Sequence, residues 1–214
     1  ELLEAIAGLQ VTESGRISYV EEDGTKEELI GMDPRKIAEK GVSLSFVPED
    51  RLGMGLVGNM DLTDNMMLRS FRRGHSPFTN RKSPRKLAED VVESLEVVTP
   101  GITTPVRRLS GGNVQKVLVG REIASAPTVL LTAYAVRGLD INSSYTIYDL
   151  INEQKKKGVA VIFVGEDLDV LLELSDKILV LCGGEVSGIV DARNTDKNEV
   201  GMLMTRVGGR KDHE

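Results

Sequence analysis

Apolar and polar residues alternate along this chain with two kinds of spacing, one typical of helices and one typical of strands. Helical spacing of apolar residues predicts helices near 1–9, 34–41, 111–125, 143–157, 168–175 and 196–205. Apolar runs predict strands at 16–20, 42–47, 128–134, 159–164 and 177–181, with a hairpin partner at 185–190. The run at 159–164 is apolar throughout, which is typical of a strand covered on both faces. Strands that alternate with helices predict an α/β fold with a mostly parallel sheet.

The segment from about 60 to 108 interrupts this alternation. Its pattern predicts two helices, at 63–71 and 84–97, joined by a polar stretch at 72–83 that carries Gly and Pro. The charge run of Arg81, Lys82, Arg85 and Lys86 is interpreted as a solvated helix face. The segment therefore reads as a helical insert in the α/β fold.

Composition narrows the range of functions. The 214 residues carry a net charge of −6, and the local basic patch at Arg69, Arg72 and Arg73 does not turn this acidic chain into a nucleic-acid binder. The single cysteine, Cys182, excludes an internal disulfide and favours a reducing compartment. With His75 and His213 as the only histidines, a zinc site of cysteine and histidine ligands is not expected. No apolar run reaches the length of a membrane span.

The most specific motif is the string Leu-Ser-Gly-Gly-Asn-Val-Gln-Lys at 109–116. In physical terms it is a helix N-terminus with a Ser110 cap and two glycines that leave the backbone N–H groups accessible. Such an end carries partial positive charge and can accept a phosphate oxygen. A plain capped helix would explain the physics equally well, but the full string resembles the signature motif of ATP-binding cassette (ABC) proteins.

Other segments extend this resemblance over essentially the whole chain. The string at 46–51 resembles a Q-loop, 136–140 resembles a D-loop, and 166–169 follows a predicted strand where the family has its switch loop. The resemblance is to the second, C-terminal cassette of tandem-cassette importers for simple sugars or nucleosides. It implies a P-loop NTPase sheet flanked by helices, divided into a core part at 1–59, a helical subdomain at 60–109 and a second core part at 110–214.

Several positions depart from the family pattern. No glycine loop with Lys and Ser or Thr is present, so the chain is expected to start just after the P-loop and to lack the strand that feeds it. Ala133 and Tyr134 stand where the family has the Asp and Glu of Walker B, and neither offers a carboxylate. Glu49 replaces the Q-loop Gln, and Glu166 replaces the switch His. The four replacements all belong to one nucleotide site, for which no catalytic residue and no metal ligand is expected in this chain.

The resemblance assigns the signature to a different site, the one held by a partner cassette. Ser110, Gly111 and Gly112 would contact the γ-phosphate of MgATP bound mainly to that partner, with Asn113 and Gln115 in the same motif. Gln115 and Lys116 are expected to face outward or toward the interface. The D-loop residues Gly138, Leu139 and Asp140 would lie at the interface, with Asp140 reaching across it. The isolated chain is expected not to hydrolyse ATP.

The implied partners are the first cassette of the same polypeptide or a second copy, transmembrane permease subunits and, indirectly, a solute-binding protein. The implied location is the cytoplasmic face of a bacterial cell membrane, with the coupling surface between about Asp50 and Phe71. Two alternatives remain: a silent structural or regulatory dimerisation module, and an ABC ATPase of DNA repair or translation. The intact signature argues against the first, and the acidic balance together with the string at 47–51 argues against the second.

Three further patterns have simpler interpretations. The glycines at 53, 55 and 58 spell a dinucleotide-binding fingerprint, but the string does not join a strand directly to a helix, and a flexible loop is predicted. Met54, Met60, Met66 and Met67 are interpreted as core filler, with a permease contact as the alternative. The acidic residues Glu166, Asp167 and Asp169 are interpreted as favourable charges at a helix N-terminus rather than a metal or acid–base pair.

Overall fold

The computed structural model describes residues 1–21, 23–70 and 80–205. Within these ranges the chain divides into two compact units, one up to Val164 and one from Gly165 onward. The helices are α1 (Leu2–Ile6), α2 (Pro34–Glu39), α3 (Leu62–Met67), α4 (Lys82–Ser94), α5 (Gly111–Ala124), α6 (Ile141–Lys156), α7 (Leu168–Leu174) and α8 (Lys197–Thr205). The strands are β1 (Ser18–Val20), β2 (Lys26–Glu28), β3 (Leu44–Val47), β4 (Val129–Ala133), β5 (Ala160–Val164), β6 (Lys177–Cys182) and β7 (Glu185–Asp191).

The centre of the first unit is a parallel sheet in the order β3–β4–β5. Alternate residues of β4 point to opposite faces, because successive side chains of a strand do so. Leu130 joins a core cluster with residues of α4, α5 and α6, whereas Val129 and Leu131 join a second cluster with residues of α1 and α2. Helices therefore cover both faces of β4, and the predicted α/β fold is confirmed.

The strand at the end of this sheet is less covered than the sequence suggested. Ile162 of β5 is 38% exposed, so the prediction of a strand covered on both faces was wrong. In the described part of the chain β5 pairs with β4 alone. An edge position leaves apolar side chains partly exposed even when the sequence pattern is uniformly apolar.

Two short elements of the first unit were not predicted as such. Strand β2 pairs antiparallel with β1, with Ser18 opposite Glu28, but its Lys-Glu-Glu sequence carries no apolar signal. The glycine-rich segment predicted as a flexible loop is instead a turn of π-helix at Arg51–Gly55. The Asp50 carboxylate caps it by accepting a hydrogen bond from the Gly53 N–H at 2.8 Å. A Cβ at Gly55 would lie 2.7 Å from Leu118, so packing explains this glycine and the fingerprint interpretation stays excluded.

The predicted insert contains α3, α4 and a short 3-10 helix at Val106–Arg108. Arg81, Lys82, Arg85 and Lys86 are exposed, which confirms the solvated face. Met66 is buried, as expected of core filler. Met54 and Met60 are exposed, so the core-filler interpretation was wrong for these two. Three predicted features fall on residues that the structure does not describe. Most of the joining stretch at 72–83 lies there, and so do Phe71, which ends the predicted coupling surface, and both histidines.

The second unit pairs β6 with β7 in an antiparallel hairpin, as predicted. Ile178 and Val180 of β6 form a small core with Val200 of α8 and Ala192. No helix in the described ranges has both the length and the apolar character that crossing a bilayer requires.

Candidate functional site

The first turn of α5 has the cap that the sequence predicted. The Ser110 hydroxyl accepts hydrogen bonds from the Asn113 backbone N–H at 3.4 Å and from the Asn113 side-chain amide at 2.8 Å. The Asn113 side-chain oxygen in turn accepts one from the Val98 N–H at 2.9 Å. Ser110 and Gly111 are exposed. The first N–H groups of a helix have no partner within it, so this end of α5 presents a partial positive charge to solvent.

The two glycines after Ser110 allow close approach by other segments. A Cβ at Gly112 would lie 2.8 Å from the Ser143 hydroxyl and 3.4 Å from the Asp140 carboxylate. A Cβ at Gly111 would lie 3.3 Å from Nη1 of Arg51. The structure thus brings the predicted signature, D-loop and Q-loop segments together around the start of α5.

Asp140 caps α6 from the predicted D-loop. Its carboxylate accepts hydrogen bonds from the Ser143 N–H at 2.9 Å and from the Ser143 hydroxyl at 2.7 Å. These bonds, the backbone one first, hold the pKa of Asp140 below its usual value. Gly138 has a φ of 68°, and Leu139 packs against the larger core cluster. The D-loop is therefore anchored to the core on one side of Asp140 and to α6 on the other.

The residues at the predicted Q-loop and Walker B positions meet through Arg137. Glu49 forms an ion pair with Arg137. The Arg137 guanidinium carbon lies 5.8 Å from the centroid of the Tyr134 ring, a cation–π contact. Tyr134 itself has a φ of 51°, in the left-handed region that residues other than glycine rarely adopt. Its N–H donates to the Val164 carbonyl at 2.8 Å, which continues the hydrogen bonding between β4 and β5.

These residues do not fit a magnesium–nucleotide centre on this face. Ala133 and Tyr134 bring no carboxylate to the end of β4, and the Glu49 carboxylate is paired with an arginine. Over the described ranges, no group of three or more His, Cys, Asp or Glu side chains could hold a metal ion. Neither Ala133 nor Tyr134 therefore offers a carboxylate to a cation at the end of β4.

Gln115 lies in a different place from the one expected. It is 1% exposed, so the prediction that it faces outward or toward an interface was wrong, while Lys116 is partly exposed. Helix α5 is buried along most of its length from Val114 to Glu122, so its sides face protein rather than solvent. Neither polar atom of the Gln115 side chain has a hydrogen-bond partner among the described residues.

A buried charged group further along α5 was not found from the sequence. Glu122 is 2% exposed and lies between Arg121, at 2.8 Å, and Arg69, at 3.1 Å. Arg121 also donates to the Gly55 carbonyl at 2.7 Å, and Arg69 donates to the Leu44 carbonyl at 3.0 Å. We call Arg69, Arg121 and Glu122 the buried cluster. Its only signal in the sequence is an Arg-Glu pair inside the otherwise apolar second half of α5.

The buried cluster borders a cavity of about 380 Å³ in the first unit. Its walls include the ends of α1 and α2, strand β3 and Met54. Met54 and Arg69 both belong to the predicted coupling surface. The cavity therefore combines apolar walls with two arginines and one glutamate.

The acidic residues after β5 belong to the second unit and behave as helix-end charges. The Asp167 side chain accepts a hydrogen bond from the Asp169 N–H at 2.9 Å and caps α7. Asp169 forms an ion pair with Lys197 at 2.5 Å. Capping and ion pairing thus account for Asp167 and Asp169, which confirms the interpretation as charges at a helix N-terminus. Glu166 immediately precedes the cap.

No protein-family profile matches the chain, but individual relatives do. It is 36% identical over 193 residues to the xylose import ATP-binding protein XylG of Moorella thermoacetica, covering 87% of this chain and 38% of that protein. It is 33% identical over 209 residues to the guanosine import ATP-binding protein NupO of Bacillus subtilis, covering 95% and 39%. The chain thus spans about two fifths of the length of these relatives.

Solved structures show the same fold at low identity. The ATP-binding cassette MJ0796 bound to ADP and Pi matches with a TM-score of 0.72 at 20% identity, over 91% of this chain and 80% of that one. The cassette MJ1267 matches with a TM-score of 0.72 at 18% identity, over 94% and 81%. The chain has the fold of an ATP-binding cassette and is related to the ATP-binding proteins of sugar and nucleoside importers.

Proposed function

We propose that this chain is part of the ATP-binding component of an importer for simple sugars or nucleosides. Its role is to supply the signature at Ser110, Gly111 and Gly112 to an ATP site held by a partner cassette. The observation that carries the proposal is the exposed, capped start of α5, where the glycines and the Asp140 cap of α6 meet. The names of the relatives, which include importers of xylose and guanosine, support the substrate class.

The chain's own residues bind and orient at that shared site. The Ser110 hydroxyl and the first N–H groups of α5 offer hydrogen bonds to phosphate oxygens, and the partial positive charge of the helix end favours them. Asn113 holds the Ser110 side chain in place, and Asp140 of the D-loop borders the same helix end. When bound, MgATP supplies the phosphoanhydride bond that is hydrolysed. Closure is favoured because nucleotide binds the closed pair of cassettes better than the open one.

The site that this chain would hold by itself is silent in this proposal. Ala133, Tyr134, Glu49 and Glu166 replace the residues with which the family handles magnesium and water. The pairing of Glu49 with Arg137 supports this, because the carboxylate already has a cationic partner.

The proposed partners follow from the same assignment. The partner cassette is the first cassette of the same polypeptide or a second copy, and a solute-binding protein delivers the solute. Permease subunits contact the surface that begins near Asp50, where Met54 and Arg69 border the cavity. This arrangement puts the protein at the cytoplasmic face of the membrane.

Changing Ser110→Arg in the assembled importer tests the signature role. A long cation at the start of α5 repels the positive helix end and fills the space for a phosphate. We expect ATPase activity to fall about a hundredfold or more, as when a catalytic hydrogen-bond donor is removed. Ser94→Arg, which adds the same side chain at the exposed end of α4, should leave activity unchanged.

The competing function, a structural or regulatory dimerisation module, predicts a different result. In that case Ser110→Arg leaves both assembly and ATPase activity intact, because no nucleotide contacts the signature. Loss of activity with the complex still assembled, measured by size-exclusion chromatography, favours the signature role. A calorimetric titration of the chain alone with MgATP tests the silent site, and micromolar binding would overturn that part of the proposal.

A further inference from the structure

Two arginines connect the segment after β3 with the turn after β4. Arg51 donates a hydrogen bond from Nη2 to the Arg137 carbonyl. Arg137 reaches back and forms an ion pair through Nη1 with Glu49. The two segments are 86 residues apart in sequence, and each holds the other through one arginine. A paired arrangement of this kind constrains both backbones more than a single surface ion pair would.

Arg51 also lies against the first turn of α5. Its Nη1 is 3.3 Å from the place that a Cβ would occupy at Gly111. Partial burial lowers the pKa of Arg51, because a charged guanidinium loses hydration there. A cation beside the positive end of a helix is also electrostatically unfavourable. Attraction to the end of α5 therefore does not explain why an arginine occupies this position.

Arg137 extends the same connection to the end of β4. The Arg137 guanidinium lies over the Tyr134 ring, and the Arg137 backbone N–H donates to the Tyr134 carbonyl at 3.1 Å. Tyr134 has the strained left-handed backbone noted above, which such contacts help to hold. The connection therefore runs from Glu49 and Arg51 to the turn after β4, and from Arg51 to the start of α5.

We infer that Glu49, Arg51 and Arg137 form a clasp that positions the first turn of α5 relative to the turn after β4. The consequence for ATP rests on the proposed function, in which that first turn contacts nucleotide on a partner cassette. Arg51 is then a positioning residue that acts through Gly111 and Ser110.

Hydrogen exchange on the chain tests the clasp without ATP or any partner. Arg51→Ala should raise amide exchange about three- to tenfold both at 113–116 and at 134–138, as expected for losing one charge-assisted hydrogen bond at a partly exposed site. Arg85→Ala is the matched control, since it also removes an arginine paired with a glutamate, 3.1 Å away on α4. If Arg51→Ala changes exchange no more than Arg85→Ala does, the clasp does not exist.

An exchange of charges separates the clasp from a general loss of stability. Arg137→Glu places two carboxylates together and should raise amide hydrogen exchange at 134–138. The double variant Glu49→Arg with Arg137→Glu restores an opposite-charge pair and should return the exchange rate to within about twofold of the parent chain. The Arg137 carbonyl that Arg51 contacts is unaffected by either change. Failure of the double variant to recover would overturn the pairing.

The assembled importer then tests the positioning role. Arg51→Ala should lower kcat for ATP about tenfold or more with little change in KM, because misplacement of a contacting group slows the reaction step. Arg51→Lys should recover only part of this loss. If exchange rises but kcat does not change, while Ser110→Arg still abolishes activity, the positioning role is wrong and the proposed function stands. If Ser110→Arg has no effect either, the proposed function is wrong.

Discussion

The buried cluster and the clasp use the same residue types for different purposes. Each joins two arginines and one glutamate across distant segments of the first unit. In the buried cluster, Glu122 is 2% exposed, whereas the side chains of Glu49 and Arg137 in the clasp are about half exposed. Water weakens a charge pair at the surface, but it is not available to solvate a charge left alone in the interior. We therefore expect that breaking the buried cluster costs much more stability than breaking the clasp.

The largest expected effect comes from breaking the buried cluster. Glu122→Ala leaves Arg121 buried without its carboxylate, and we expect a loss of about 3–5 kcal/mol in the free energy of unfolding. Urea denaturation measures it. Glu89→Ala, which removes the exposed carboxylate that pairs with Arg85 on α4, should change stability by about 0.5 kcal/mol or less. Equal effects for the two variants would contradict the contrast drawn here.

A smaller effect is expected where packing rather than charge holds the helix end. Gly112→Ala would place a methyl group 2.8 Å from the Ser143 hydroxyl, so α5 and α6 must shift at a cost of about 1–3 kcal/mol. Gly101→Ala, with no atom within 4 Å of the added Cβ, should be close to neutral in the same denaturation experiment. Combining Gly112→Ala with Ser143→Gly removes the hydroxyl that the new methyl group meets and should recover part of the lost stability. If nothing is recovered, the contact with Ser143 is not the cause of the loss.

Removing charge from the clasp should affect stability least among these changes. Glu49→Gln is expected to cost about 1 kcal/mol or less, because both partners of the ion pair are largely solvated. The difference from the parent chain should shrink further in about 1 M salt, which screens exposed charges. Denaturation at low and high salt gives the measurement, with Glu39→Gln on α2 as the control. A cost as large as that of Glu122→Ala would remove the distinction between the two clusters.

The effect of pH concerns Asp140, which lies against Gly112 at the start of α5. Its folded pKa is lowered by the hydrogen bonds from Ser143, so the contribution to stability is present above the unfolded pKa and is lost as pH falls through the folded value. The stability difference between the parent chain and Asp140→Asn should therefore decline from about pH 4 downward. A series of denaturation curves between neutral and acid pH measures this decline. A stability difference that grows toward acid pH would contradict the expected loss of the Asp140 contribution.

Much of the fold was predictable because its local signals agree with one another. Helix α5 has a serine cap, a glycine pair and a long apolar stretch, and the structure has the helix and the cap as predicted. Strands β3, β4 and β5 were likewise found from apolar runs, with errors of one or two residues at their ends. Strand β2 was missed because its three charged residues pair through the backbone, which leaves no side-chain pattern to detect.

The errors at the candidate site arise from contacts that a sequence pattern does not contain. Gln115 is polar and was placed at a surface, but its position on a helix with protein on several sides buries it. Likewise, the glycines after Ser110 indicated close approach, yet nothing in the sequence identified Ser143 and Arg51 as the neighbours. The pairing of Glu49 with Arg137 depends on two segments that meet only in three dimensions. Roles in nucleotide binding for Ser110, Gly111 and Gly112 stay predictions.

The division into two units has a spectroscopic consequence. The chain has four tyrosines, four phenylalanines and no tryptophan, and all eight aromatic residues lie between positions 19 and 163. The whole second unit, from Gly165 onward, therefore contributes no aromatic signal. Tyrosine fluorescence and near-ultraviolet circular dichroism follow the unfolding of the first unit alone, whereas far-ultraviolet circular dichroism follows the helices and strands of both. Comparing the two signals in one melting experiment would reveal whether the units lose their structure together or one after the other.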